Sequence, residues 1–118
     1  MTESQQIANL IETAACALDV CPRAVLLDLG LRRKNRIAVA RRCVMFHLYK
    51  SGVTLDRVAR IWKVSPECAA TNIRLVRLMD DMPEYIAVMK ALPPVEMESF
   101  ATFPPANVKR HHAATCPV

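Results

Sequence analysis

Twelve lysines and arginines fall between Arg32 and Arg77, accompanied by only two acids, Asp56 and Glu67, so this stretch carries a net +10. Cationic groups at this density suit one chemistry above others, the neutralisation of phosphates, where each contact releases a condensed counterion. The rest of the chain holds four basic and nine acidic residues, so an overall charge of +5 conceals a cationic middle on an anionic frame. Other chemistries lack their residues. No Ser/His/Asp set, paired carboxylates or GxxxxGK[ST] phosphate loop stands out, which argues against an enzyme. His111, His112 and Cys116 have no fourth ligand and no rigid frame, so neither a metal nor another cofactor is expected. His47, between Phe46 and Leu48, reads as a satisfied, partly buried histidine, and Asp80-Asp81 as a helix-ending pair.

The elements that must position those cations read as helices. With only two glycines, Gly30 and Gly52, hairpin turns lack their usual residue, and aromatics at 5% make the core mostly aliphatic. The pattern predicts an all-α chain: a small bundle of five to six helices over residues 1–92, then a poorly ordered, proline-containing tail over 93–118. A first helix spans 3–18, with Thr2 or Ser4 as its cap and a stripe of Ile7, Leu10, Ile11, Ala14, Ala15 and Leu18. Pro22 opens a second helix that Gly30 ends. The basic connection 31–36 follows. A third helix runs from about Arg36 to Lys50, burying Ile37, Ala40, Cys43, Val44 and Leu48 and leaving Arg41 and Arg42 facing out. Ser51-Gly52 stops it. Thr54 caps a short helix, 55–62, with Leu55, Val58, Ala59 and Trp62 inward. After Lys63-Val64, Ser65-Pro66-Glu67 is a strong helix start for a fifth helix to about Met79, and 84–92 forms the last.

Residues 54–79 thus have the anatomy of a helix-turn-helix, in which the N-terminal residues of the second helix enter the major groove. The groups offered there are Ser65, Glu67, Cys68, Thr71, Asn72 and Arg74. Asn72 could pair with adenine and Glu67 with a cytosine amino group, although the simpler reading of Glu67 is an acid placed for the helix dipole. Ser65 reads mainly as a cap. Arg57, Arg60 and Lys63 decorate the motif, and Arg74 and Arg77 suit phosphates better than bases.

The run Arg32-Arg33-Lys34-Asn35-Arg36-Ile37-Ala38-Val39-Ala40-Arg41-Arg42-Cys43-Val44-Met45-Phe46, followed by Val53-Thr54-Leu55-Asp56-Arg57-Val58-Ala59-Arg60-Ile61-Trp62, resembles the C-terminal DNA-binding domain of the bacterial replication initiator DnaA. That family has a basic loop, an A-R-Q-x-A-M-Y helix and S-L-x-E-I-G-x-x-F before its recognition helix. The helix order from Ile7 to Leu92 matches, while the ATPase module is absent. The resemblance implies a stand-alone double-stranded DNA-binding protein, replication-associated or a transcriptional regulator. It implies Arg33 in the minor groove, with Arg32, Lys34, Arg36, Arg41 and Arg42 on phosphates. Thr54 matches the serine that caps the family's first motif helix. The chain departs from the pattern at the recognition helix, where D-H-[TS]-T is replaced by Ser65-Pro66-Glu67-Cys68. The base-touching histidine and threonine have no counterpart.

An alternative reading keeps the helix-turn-helix as a protein-interaction module. Leu78, Met79, Met82, Ile86, Val88, Met89 and Leu92 give the C-terminal helices apolar surface for the core first, and for a partner or homodimer second. The five cysteines include no CxxC pair and read as buried hydrophobes or free thiols of a reducing compartment. The polar N-terminus does not read as a signal peptide, and no apolar run approaches a membrane span. A cytoplasmic protein is expected, from a bacterial cytoplasm or nucleoid or encoded by a phage.

Overall fold

Short polar side chains cap the starts of three helices, and left-handed residues followed by valine end three. The computed structural model describes residues 2–27 and 35–96, without the Asn35 side chain, and among these six α-helices and no strands occur. Helix α1 (Glu3–Leu18) begins at a capping box: the Gln5 amide donates to Thr2 Oγ1 at 3.1 Å, and the Thr2 amide donates to Gln5 Oε1 at 2.9 Å. Helix α2 (Pro22–Leu27) opens on its proline, α3 spans Asn35–Ser51, and α4 spans Leu55–Trp62. Helices α5 (Pro66–Leu78) and α6 (Pro83–Ala91) also carry proline at their first position, where the missing N–H costs nothing. Gly30 lies outside the described residues, so the end expected for α2 does too.

At the ends of α1, α3 and α4 the residues Asp19, Gly52 and Lys63 turn left-handed, with φ of 58°, 119° and 57°. The next amide then folds back five residues: Val20 to the Ala15 carbonyl at 2.9 Å, Val53 to Leu48 at 3.0 Å, and Val64 to Ala59 at 3.0 Å. Each closing valine lies in or against the core, the hydrophobic contact that usually accompanies this stop.

Helix α3 packs against all five other described helices. Ala40, Cys43, Val44, Met45 and Leu48 are fully buried on it, and only Arg36, Tyr49 and Lys50 among its described side chains are exposed. This overturns one expectation. Arg41 does not face out; it is 9% exposed. A helix surrounded on this many sides has no broad solvent face, so lying off the apolar stripe did not mean lying in water. Ile37 and Leu55, expected inside, are half-buried instead.

The first residues beyond α6 are tied to the bundle. His47 Nε2 donates to the Pro93 carbonyl at 2.7 Å. The buried Gln6 amide donates to the Glu96 carbonyl at 3.2 Å and accepts from the Glu96 amide. Residues 97–118, most of the segment expected as a tail, lie outside the described residues. No described helix is long and apolar enough to cross a membrane.

Candidate nucleic-acid interface

Helices α4 and α5 pack on each other across a three-residue connection, Lys63-Val64-Ser65. Both are started by hydroxyls. The Arg57 amide donates to Thr54 Oγ1 at 3.2 Å, and the Cys68 amide to Ser65 Oγ at 3.1 Å. Thr54 and Ser65 are thus engaged as caps. Val58, Ala59 and Trp62 of α4 and Ala69, Ile73 and Val76 of α5 are buried, which fixes the outward face of the pair. Pro66, Glu67, Cys68, Thr71 and Arg74 are exposed along α5, and Arg60 and Lys63 are exposed on α4 and at its end. Thr71 Oγ1 donates to the Glu67 carbonyl at 3.0 Å, which leaves the hydroxyl's acceptor side outward.

Four expected contact residues are held within the fold instead. Arg41 Nε donates to the Val25 carbonyl at 3.3 Å, and Trp62 Nε1 donates to the same oxygen at 3.1 Å. Val25 sits in the last turns of α2, where carbonyls lack intrahelical donors and cations are favoured. Arg42 is half-buried and links three helices: Nε donates to Asn72 Oδ1 at 3.3 Å and Nη1 donates to Tyr85 Oη at 2.9 Å. Asn72 is correspondingly occupied, since its Nδ2 donates to the Cys68 carbonyl at 2.8 Å while its oxygen accepts from Arg42. Both ends of the Asn72 amide are therefore already engaged within the fold. Arg57 is half-buried and ion-paired with Glu3, Nε to Oε2 at 2.8 Å, which joins α4 to the start of α1.

The remaining expected residues divide by position. Arg36 is exposed, with Nη1 donating to the Leu18 carbonyl at 3.3 Å at the end of α1. Arg32, Arg33 and Lys34 lie outside the described residues. Of the cations expected to meet DNA, Arg36, Arg60, Lys63 and Arg74 are thus exposed among the described residues.

No family model, curated protein or solved structure matches this chain. The chemistry of the surface must be read from its own residues. Among the described residues no group of three or more His, Cys, Asp or Glu could hold a metal ion. Tyr85 is the partner that sequence reasoning missed. A phenol on the core face of α6 needs somewhere to place its hydroxyl, and that requirement was the available signal. Cys43 is buried beside Arg42, and burial pushes its thiol up to about 12, against a smaller lowering by the guanidinium.

Proposed function

We propose that the chain is a double-stranded DNA-binding protein of the helix-turn-helix class, similar to the DnaA C-terminal domain and acting in replication or transcriptional regulation. The observation that carries this reading is the outward face of the α4–α5 pair. Pro66, Glu67, Cys68 and Thr71 are exposed in the first half of α5, on either side of the buried Ala69, and Arg60, Lys63 and Arg74 are exposed as well. In this proposal Lys63 and Arg74 contact phosphates on either side of the major groove, while Glu67, Cys68 and Thr71 approach base edges. Arg36 and the connection Arg32-Arg33-Lys34 add cations from the start of α3. Arg41, Arg42, Arg57 and Asn72 are left out of the contact set, because their polar groups hold helices together.

Fluorescence anisotropy on a random duplex and on a duplex bearing the DnaA box, each across a salt series, tests the proposal. Binding is expected with a slope of log K against log salt of several units, about −0.9 for each phosphate contact. Lys63→Glu with Arg74→Glu flattens the slope and leaves the helical circular dichroism unchanged. Absence of binding at low salt, or a slope indifferent to that double variant, rejects it.

A further inference from the structure

We propose that the groove between α3, α5 and α6 docks an acidic amphipathic helix of a partner protein. The groove has a volume of about 430 Å³ and lies at the C-terminal half of α5, away from the exposed first turns. Its walls are apolar, formed by Phe46, Val76, Ile86 and Met89. Its rim is cationic: Lys50, Arg77 and Lys90 face one acid, Asp80, a balance of three charges against one. Two of those cations are held in place by the same ring, since Lys50 Nζ and Arg77 Cζ each stand 5.8 Å from the Phe46 centroid. Ile86, which lines the groove, is 42% exposed, and Leu78 and Met82 at the α5–α6 connection are 71% and 42% exposed.

The form and charge of the occupant follow from these features. Among the described residues there is no strand, hence no sheet edge to which an extended peptide could add. A trough between three helices accepts the i, i+3, i+4, i+7 stripe of another helix. A second copy of this chain would bring the same cationic rim against itself across a twofold axis, which opposes self-association. Nucleic acid would set phosphates against aliphatic walls. Carboxylates flanking an apolar stripe satisfy both the rim and the floor.

The test selects helical peptides from a displayed library on the full chain, then measures the enriched peptides by anisotropy and by backbone amide shifts. The expected peptides are acidic beside an apolar stripe, shift the amides of Phe46, Val76, Ile86 and Met89, and bind at least about tenfold more weakly to Lys50→Glu with Lys90→Glu. Ile86→Asp, an exposed position, should abolish binding with circular dichroism unchanged, and Lys50→Gln with Lys90→Gln guards against misfolding of the reversed pair. Four results overturn the proposal. They are no enrichment, enrichment of neutral or basic peptides, binding indifferent to these variants, or shifts of the same amides on self-association or on adding duplex DNA instead.

Discussion

Arg41 holds a positive charge inside the bundle, and its position accounts for much of how α2 is attached. Its Nε and Trp62 Nε1 converge on the Val25 carbonyl, so a single oxygen near the end of α2 receives donors from α3 and α4. Arg41→Ala removes a charge-assisted bond and leaves a gap in the interior. It is expected to destabilise the chain by about 2 kcal/mol in urea unfolding, with Arg41→Lys giving little recovery because an ammonium lacks the planar fork. A loss below about 0.5 kcal/mol would show that the contact contributes little. Cys43, two residues further on, provides a pH signature. Its thiol is raised from an ordinary value of 9.0 to about 12 by burial, so the folded state keeps the proton longer than the unfolded one. Stability from this group is full below about 9 and declines as pH rises toward 12. Cys43→Ala should therefore narrow the stability difference between about pH 8 and about pH 11, and an unchanged difference counts against the assignment. At neutral pH, Cys16, Cys21 and Cys68, all exposed, should react with a maleimide well before Cys43.

The α4–α5 pair shows what an element contributes beyond its residues. Ser65 starts α5 through the Cys68 amide, and Lys63 closes α4 in a left-handed conformation that non-glycine residues adopt at a cost. Ser65→Ala is expected to cost about 1 kcal/mol. Lys63→Gly should hold or slightly raise the melting temperature while lowering DNA affinity, because glycine suits the turn and carries no charge. If Lys63→Gly lowers both together, the lysine is structural and its place on the proposed interface is lost. These helix ends were legible in the sequence because the residues that make them, Thr54, Ser65, Pro66 and Gly52, act through their own backbone neighbourhoods. The apolar face of α3 was legible too, in Ala40, Cys43, Val44 and Leu48, but the surroundings of its arginines were not. Whether Arg41 meets water depends on five other helices, and no local spacing encodes that. Asn72 was equally hidden: a helix-surface amide looks available until Arg42 and Tyr85, 30 residues before and 13 after it, are brought together beside it.

For the whole molecule, the cationic middle separates into two populations with different physics. Arg41, Arg42 and Arg57 join helices through short-range bonds in half-buried or buried settings, whereas Arg60, Lys63, Arg74 and Arg77 stand in solvent. A sequence count of +10 cannot distinguish them, so it overstates the field that reaches a ligand. The two groups should respond to salt and substitution in opposite ways. Added salt screens the outward cations strongly and the buried contacts weakly, so duplex affinity is expected to fall steeply while unfolding stability changes little. Arg57→Gln, which breaks the bond between α4 and α1 at Glu3, should lower stability by about 1 kcal/mol and leave the salt slope of binding unaltered. Lys63→Glu with Arg74→Glu should do the reverse, flattening the slope by about two units with the melting temperature held. Measuring both quantities on both variants checks the division. If Arg57→Gln flattened the slope as strongly as the outward pair, the internal arginines would reach DNA after all, through an opening of the bundle between α1 and α4.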